Sequence, residues 1–572
     1  MLPWFRAHWP TLLLALIILT AAALRFYDLG RADLITDEAS INWRAIGYLD
    51  FLGTPYQTTP VEWLQTWPWW LSISFHDLPP LFFLLQHWIF SLFGVSVTVM
   101  RLLPALAGVA SVIMVYVIGR RLAGQASGMA QASGLIASAL IAINSYHLWI
   151  SRIAMQESLV ILWILLAFWC ALRVREDKRW WYAFGMITGL AIMTKIHGII
   201  IIPIVLTYYL WQQRSVWRTK ELYLSWLIIA IIVSPYIVYN IMMYRTFGHF
   251  DYQFSSLFHQ TVDAWKVRPG REEFSTFAAA FSYFFLNLRE AVTPLFSSAL
   301  LLAIAYPALC WRSLNDQQRQ AIRWLGVALL WTFVLLMVIG PSRRFLTLML
   351  PWIFLWLGVV LSAIRFRRFR WLFYSLGVVW IVYELIFAIN TNVADLKWGS
   401  EGWGYSRLRY QVMPYGYRQL EASVDNLLAG KKPAVTLPIA NANLRHVTEQ
   451  RYAHLAGQSE PAMIIYDPRM YGEEVFWTLT RRLIYQGWPV LSYGVYQEAQ
   501  AGNGPDFFHK LGITDYYFID AHQATLQSPS FDESVAAADA FIQQLQSKAE
   551  VVQEIKDTSG RVVFTIYHWQ TL

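Results

Sequence analysis

The sequence predicts a polytopic α-helical membrane protein with about eleven transmembrane helices, additional interfacial helices and a C-terminal soluble α/β domain. Hydrophobic residues make up 56% of the 572 residues and charged residues only 14%, which is more apolar surface than a soluble core of this length uses. The apolar residues fall into blocks long enough to cross about 30 Å of hydrocarbon. Beyond residue 393 the chain becomes polar, and strand-like segments such as AMIIYD and VVFTIYHW alternate with helical ones.

The apolar blocks and the basic residues between them predict an orientation. The expected spans are 9–27, 99–119, 128–147, 158–174, 180–195, 197–213, 222–243, 293–311, 323–340, 345–364 and 371–390. With the N-terminus in the cytoplasm, the inner loops carry the basic clusters at 120–121, 173–179, 214–220, 312–323 and 365–370. Cationic loops resist translocation, so we expect a multi-pass protein of the cell membrane whose C-terminal domain is extracytoplasmic.

The polar connections divide the chain. A transmembrane domain over residues 1–392 has a first outer loop at 28–98 and a second long outer loop at 245–290, and the soluble domain covers 393–572. The segment PPLFFLLQHWIFSLF (79–93) is short and aromatic, which predicts a helix lying at the membrane interface.

Charge and cysteine content exclude two other classes of protein. The formal net charge is +8, but the basic residues sit in short loops between apolar spans, which argues against a nucleic-acid partner. The two cysteines, Cys170 and Cys310, both fall inside apolar spans, so a disulfide-stapled outer domain is excluded.

Two acidic motifs lie in the first outer loop. Asp37 and Glu38 are adjacent carboxylates within ten or so residues of the first span, and such a pair is also common in ordinary solvated loops. His76 and Asp77 precede Pro79-Pro80 and the interfacial helix. An imidazole and a carboxylate suit a divalent metal or a proton relay, although two residues do not define a metal site.

Several charged residues lie in the other outer turns. Arg152 and Glu157 occur where the chain re-enters the lipid, where snorkelling at a helix end is the alternative interpretation. Lys195 and the pair Arg343-Arg344 are cations on the side where the positive-inside rule disfavours them. A lipid-linked phosphate would give these cations a function, since Arg offers a fork of donors and Lys a point charge.

The order of these features resembles the GT-C superfamily of membrane glycosyltransferases, and within it the group of protein O-mannosyltransferases and aminoarabinose transferases (ArnT-like). The resemblance covers residues 20–365 and is carried, in order, by RFYDLGRADLITDEA, HDLPPLFFLLQHWIFSLFGVS, RLLPALAGVASVIMVYVIGRRLAG, SRIAMQES, GLAIMTKIHG and RRFLTLMLPW. It implies an inverting transfer of a sugar from a polyprenyl-phosphate donor to a lipid, glycan or protein acceptor at the outer face of the membrane.

The resemblance also implies roles for individual residues. Asp37 would be the general base, with Glu38 beside it and Glu157 as the acidic residue of the second outer turn. Arg152, Lys195 and Arg343 or Arg344 would contact the donor phosphate. A divalent metal, which some family members hold, would be bound by Asp77 with His76, and with His249 or His259 of the second long loop.

The chain departs from the family pattern at two positions, and other functions stay open. Leu78 stands where some members have lysine before the two prolines, and Glu157 stands where aspartate is frequent. A ligase or oligosaccharyltransferase that uses a lipid pyrophosphate donor would need similar cations. A transporter would place polar groups at the bilayer midplane and show internal repeats, and a membrane scaffold would leave the outward cations unexplained.

Overall fold

The computed structural model describes residues 2–34, 37–50, 68–124, 128–212, 214–260, 276–364, 370–395, 397–470, 472–522 and 533–570. Thr36 of the first acidic motif and the basic residues Arg365, Arg367 and Arg368 lie outside these ranges, as do parts of both long outer loops (51–67 and 261–275).

The described residues up to 392 form helices joined by short connections, with no strand among them. The α-helices are Leu2–Phe26, Glu38–Gly47, Leu81–Phe93, Val97–Met100, Leu102–Leu122, Gly128–Ile143, Ser145–Arg152, Gln156–Arg173, Trp180–Thr194, Ile201–Gln212, Lys220–Phe247, Tyr252–Leu257, Phe277–Ala291, Pro294–Cys310, Asp316–Ile339, Arg343–Leu346, Leu350–Ala363 and Arg370–Asn392. Short 3₁₀ helices occur at Trp69–Ser72, Ile196–Ile200, Arg214–Arg218, Trp311–Ser313 and Arg407–Gln411.

Seven helices in the described ranges are long and apolar enough to cross a membrane, and the number rises to nine if each of two bent helix pairs forms one span. The bent pairs are Gly128–Ile143 with Ser145–Arg152, at 60°, and Phe277–Ala291 with Pro294–Cys310, at 117°. The expected number was about eleven, because hydropathy also counts apolar stretches such as Trp180–Thr194, whose 15 residues are short for a full crossing. The predicted class, a polytopic helical membrane protein with a C-terminal α/β region, is confirmed.

Exposed apolar side chains identify the surface that needs lipid. On the helix Arg370–Asn392, Trp371, Tyr374, Val378 and Val379 are each at least 60% exposed. The helix Leu350–Ala363 shows the opposite pattern, because its residues from 350 to 360 are nearly all buried. Its Gly358 allows close packing, since an added Cβ would lie 2.5 Å from the Ser133 carbonyl oxygen.

The chain divides into two compact units. One comprises residues 1–29 and 70–411, and the other comprises residues 30–69 and 412–572. The second unit therefore includes part of the first outer loop, which the sequence assigned to the transmembrane domain. The domain limits at 392 and 393 and the side of the membrane on which each unit lies remain predictions.

The second unit is built on a mixed five-stranded sheet. Its strands are β3 (Ala462–Tyr466), β4 (Val490–Ser492), β5 (Asp515–Ala521), β6 (Glu550–Lys556) and β7 (Val562–Gln570), in the order β4-β3-β5-β7-β6. Strands β3, β4 and β5 are parallel, and β7 is antiparallel to both β5 and β6. Strands β1 (Lys431–Pro433) and β2 (Gln458–Glu460) form a separate parallel pair.

Helices accompany this sheet and buried residues cover both of its faces. The helices are Tyr417–Leu427, Ala442–Tyr452, Gly472–Val475, Arg481–Gln486, Tyr493–Asn503, Phe507–Lys510 and Glu533–Lys548, with a π-helix at Phe476–Thr480. Ile464 and Phe564 belong to one buried cluster, whereas Met463 and Phe518 belong to another. Alternate residues of a strand point to opposite faces, so both faces are packed, as the parallel strands require.

Asp33 attaches the first-loop part of the second unit to its C-terminal part, which begins at residue 412. Its carboxylate accepts hydrogen bonds from the backbone N–H groups of Tyr415, at 2.5 Å, Tyr417, at 3.2 Å, and Arg418, at 3.0 Å. The helix Glu38–Gly47 follows, and its Trp43 stacks on Phe476 with ring centroids 5.3 Å apart. The separation of about 380 residues between these partners explains why sequence patterns did not reveal the grouping.

Candidate functional site

Glu157 forms the centre of a buried ion cluster in the first compact unit. Its side chain is fully buried, and its Oε1 lies 2.6 Å from Lys195 Nζ and 3.1 Å from Arg344 Nε. The Phe345 ring packs against both cations, because its centroid lies 5.1 Å from Lys195 Nζ and 5.2 Å from the Arg344 guanidinium carbon. Within this cluster two positive charges meet one carboxylate.

Local backbone structure brings these residues to the ends of helices. Glu157 is in the first turn of Gln156–Arg173, and Lys195 is the extended residue that ends Trp180–Thr194. The following turn needs a glycine, because a Cβ at Gly198 would lie 2.5 Å from the Ala191 carbonyl carbon. Arg344 lies in the short helix that begins after Ser342, whose Oγ accepts a hydrogen bond from Phe345 N.

Arg343 joins a second ion cluster beside the first. Its Nε lies 2.9 Å from Glu290 Oε2, and Arg407 Nη1 lies 3.4 Å from Glu290 Oε1. Arg407 also pairs with Glu401. The turn that carries the adjacent arginines is held by Asn287, whose Nδ2 donates to the Pro341 carbonyl at 2.7 Å. Neighbouring residues Arg343 and Arg344 thus engage two different glutamates.

A cavity of about 590 Å³ adjoins the second cluster. Arg289, Glu290, Glu401 and Arg407 contribute charged groups to its wall, and Trp403 adds an aromatic ring. This volume is in the range of small-molecule binding sites. The cavity therefore combines space for a polar headgroup or sugar with cations that can contact anionic oxygens.

Arg152 contacts the end of the first helix. Its Nη1 donates to the carbonyl oxygens of Leu24, at 2.7 Å, and Tyr27, at 2.9 Å, and its Nη2 donates to that of Asp28, at 3.2 Å. These carbonyls lie at or just beyond the C-terminus of Leu2–Phe26, where a cation also favours the helix dipole. The observed contacts are those of a helix cap, and contact with a donor phosphate remains a prediction.

The second long loop packs against His76 and Asp77. Tyr252 N donates to the His76 carbonyl at 2.8 Å, and Gln253 Nε2 donates to the Asp77 carbonyl at 2.8 Å. His76 Nδ1 is 3.9 Å from Asp77 Oδ1. Asp251 lies nearby and is a further acidic residue that no sequence pattern marks. Burial raises the pKa of Asp251 to about 6, and the charge of Asp77 adds to the shift.

The expected metal ligands do not form a metal-binding group. In the ranges that the structure describes, no set of three or more His, Cys, Asp or Glu residues is arranged to hold a metal ion. His249 Nδ1 lies 2.7 Å from the Phe250 carbonyl oxygen, and His259 follows a short helix with a positive φ of 52°. Among the described residues no ligand group suits a metal ion, and a metal bound by Asp77, His76 and a histidine of the second long loop remains a prediction.

Asp37 and Glu38 belong to the other compact unit. Asp37 is the N-cap residue of Glu38–Gly47, and Glu38 is fully buried. Glu473 of the C-terminal part lies close enough for the charge of Asp37 to affect it. Burial and then this charge raise the pKa of Glu473 to about 8. One further carboxyl group, that of Glu473, thus lies near the predicted base.

Sequence patterns point to the charged residues of the first cluster but not to several of their neighbours. Phe345, Glu290 and Arg407 were not selected, although Phe345 is next to Arg344 in the quoted motif RRFLTLMLPW. Glu290 lies at the end of the second long loop and Arg407 lies after the helix Arg370–Asn392. No local pattern marks either residue, because their pairing depends on tertiary structure.

Comparisons with known proteins give a family match and a fold match. Residues 77–239 match the family model described as dolichyl-phosphate-mannose-protein mannosyltransferase. The crystal structure of ArnT from Cupriavidus metallidurans in the apo state shares 13% sequence identity, with a TM-score of 0.53 and 98% of each chain covered. The structure of the same protein bound to undecaprenyl phosphate shares 14%, with a TM-score of 0.54 and the same coverage.

More distant structures include the oligosaccharyltransferase of Archaeoglobus fulgidus in the apo form, at 14% identity and a TM-score of 0.47, which covers 91% of this chain and 70% of that one. No curated protein matches this chain significantly in sequence. The family match covers residues 77–239, and the two ArnT structures show that the chain has the fold of ArnT, in agreement with the resemblance seen in the sequence.

Proposed function

We propose that this protein is an inverting glycosyltransferase that moves a sugar from a polyprenyl-phosphate donor to a lipid, glycan or protein acceptor at the outer face of the membrane. The observation that carries the proposal is the buried cluster in which Lys195 and Arg344 share one oxygen of Glu157. The cavity beside Arg343 and Glu290 provides the adjoining space.

A glycosyl phosphate requires stabilisation of its leaving group. When the bond between the anomeric carbon and the phosphate oxygen breaks, negative charge increases on the phosphate. Fixed cations placed where this charge develops lower the barrier, and they act strongly in a site from which water is largely excluded. Lys195 is 5% exposed, and Glu157 holds its ammonium group and the Arg344 guanidinium in place before the donor binds.

The acceptor must lose a proton as it attacks. In the proposed reaction its oxygen forms a bond to the anomeric carbon while the carbon–phosphate-oxygen bond breaks, and the proton passes to a carboxylate base. The resemblance gives this role to Asp37, with Glu38 as its neighbour. A single direct displacement inverts the anomeric centre, and no covalent intermediate with the protein is needed.

The known relatives support a lipid phosphate donor. The matched family model is named for dolichyl-phosphate-mannose, and ArnT has been crystallised with undecaprenyl phosphate. A lipid pyrophosphate donor is the second candidate, because additional cations line the neighbouring cavity, namely Arg289 and Arg407. A transporter would instead move substrate without breaking a glycosidic bond.

The test is donor discharge by the purified full-length protein. It would be incubated with a panel of polyprenyl-phosphate and polyprenyl-pyrophosphate sugars, and release of the lipid phosphate or pyrophosphate would be followed. We expect discharge of a monophosphate donor, with a loss of about a hundredfold or more in Arg344→Gln, since each charged contact to a developing oxyanion contributes about that factor. Arg319→Gln is the matched control, because Arg319 pairs with Asp316 at an exposed helix start.

The outcomes separate the alternatives. Equal discharge by Arg344→Gln and wild type would remove the cluster from the mechanism, and discharge of pyrophosphate donors alone would favour the ligase-type reaction. Asp37→Asn tests the base independently, because an unchanged rate would exclude that role. Addition of a chelator tests metal dependence in the same assay.

A further inference from the structure

A second polar cavity lies at the opposite ends of the helices that carry the candidate site. It has a volume of about 310 Å³ and is lined by Arg121, Arg175, Gln317 and Gln320, with Trp324 at its wall. Leu172 also lines it, whereas Glu157 is in the first turn of the same helix. Leu172 is 15 residues further along the helix than Glu157, which separates the two sites by about 22 Å along the helix axis.

The cavity is formed by three basic segments that are remote in sequence. Arg121 lies in the last turn of Leu102–Leu122, Arg175 follows Gln156–Arg173, and the two glutamines lie in the first turns of Asp316–Ile339. These are the loops that the sequence predicts on the cytoplasmic side. Their convergence on one cavity does not follow from the positive-inside rule, which concerns only the side of the membrane.

The charges around the cavity favour an anion. Glu176 pairs with Arg121 and lies 2.5 Å from Arg173 Nε. Arg175 adds a third guanidinium group in the cavity wall, so positive charge exceeds negative charge here. The carboxamides of Gln317 and Gln320 add neutral donors, and Gln320 Nε2 is 2.6 Å from the Tyr208 hydroxyl. Guanidinium and amide donors together suit the oxygens of a phosphate.

Aromatic contacts indicate that the anion belongs to a lipid. The Arg173 guanidinium carbon lies 5.4 Å from the Trp169 ring and 4.9 Å from the Trp180 ring. Arg323 lies in the same way over Trp211, at 5.6 Å, and Trp311, at 5.7 Å. Tryptophan and arginine at the ends of apolar helices are typical of headgroup depth, and basic pockets between helices bind anionic headgroups.

We propose that this cavity binds the phosphate of an anionic phospholipid, at a site separate from the one that handles the sugar donor. Arg121 and Arg175 contact the phosphate oxygens, and Gln317 and Gln320 donate to the headgroup. The proposal does not depend on glycosyl transfer, because it concerns the other ends of the helices and its test uses no activity.

The test compares purified full-length protein in nanodiscs of phosphatidylcholine alone and of phosphatidylcholine mixed with phosphatidylglycerol. The readouts are the shift in melting temperature and, by native mass spectrometry, the amount of phosphatidylglycerol retained. The site variant is Arg121→Gln with Arg175→Gln. The matched control is Lys178→Gln with Arg179→Gln, which removes two exposed positive charges from the same loop region but none from the cavity wall.

We expect phosphatidylglycerol to raise the melting temperature of the wild type and the control, and to have a clearly smaller effect on the site variant. Retained phosphatidylglycerol should fall about tenfold or more in the site variant, since it loses two charge-assisted contacts. Should the double variant fail to fold, Arg175→Gln alone serves, because Arg175 is exposed.

Three results would overturn the proposal. Equal losses in the site variant and the control would show that only the overall charge of this end matters. If phosphatidylglycerol did not raise the melting temperature of the wild type, the cavity would not be a site for this lipid. An equal stabilisation by inorganic phosphate in phosphatidylcholine nanodiscs, lost in the site variant, would show a site for a free anion instead of a lipid.

Discussion

Replacing Glu157 by glutamine tests the central ion cluster most directly. The amide keeps the shape of the side chain but removes the charge that Lys195 Nζ meets at 2.6 Å and Arg344 Nε at 3.1 Å. Removing one partner of a buried ion pair costs about 3–5 kcal/mol, because the remaining charge is left uncompensated. The side chains of Lys195 and Arg344 are 6% and 17% exposed. Because this partial solvation lowers the cost, we expect a loss of stability of about 3 kcal/mol.

The assay is thermal unfolding of the full chain in detergent, in which we expect Glu157→Gln to lower the melting temperature by several degrees. Glu176→Gln is the matched control, because Glu176 also contacts two arginines but is 40% exposed, and such a pair contributes at most about 1 kcal/mol. A double-mutant cycle with Lys195→Gln should show a coupling of about 1 kcal/mol or more. Equal effects of the two glutamate variants, or additive effects in the cycle, would refute the argument.

Three further predictions concern other parts of the chain. The pKa of Glu473 is raised to about 8, so the contribution of this carboxyl group to stability is full below its ordinary pKa and is lost as the pH rises towards 8. Melting temperatures measured across this pH range should therefore fall less steeply in Glu473→Gln than in the wild type. An identical slope in the two proteins would contradict the raised pKa. Arg152→Gln should destabilise the protein by about 1–3 kcal/mol, since buried carbonyl groups of Leu24 and its neighbours lose a charged donor; circular dichroism melts would detect this, and a wild-type melt would rule out the capping role. Gly198→Ala should reduce donor discharge more strongly than it lowers the melting temperature, because a Cβ 2.5 Å from Ala191 displaces the turn next to Lys195; a wild-type rate would show that the turn does not position the site.

Much of the membrane architecture could be predicted from the sequence. The length and composition of helices such as Lys220–Phe247 follow from the requirement that a backbone in lipid satisfies its own hydrogen bonds. The short apolar helix Leu81–Phe93 was also predicted. Bends were not predicted, because hydropathy does not record a change of direction: the expected span 128–147 falls on the two helices Gly128–Ile143 and Ser145–Arg152, which meet at 60°.

The sequence by itself determined which residues carry charge at the ends of apolar segments, among them Glu157, Lys195 and Arg344. Charges next to hydrocarbon are costly and therefore conspicuous in the sequence. Only the tertiary structure decided that Lys195 and Arg344 both contact one oxygen of Glu157 and that Arg343 pairs with Glu290. It also decided that the Asp33 carboxylate accepts a hydrogen bond from the backbone of Tyr417. Hydropathy and spacing record the environment of a residue along the chain, whereas a partner far away in sequence is selected by the packing of helices and strands.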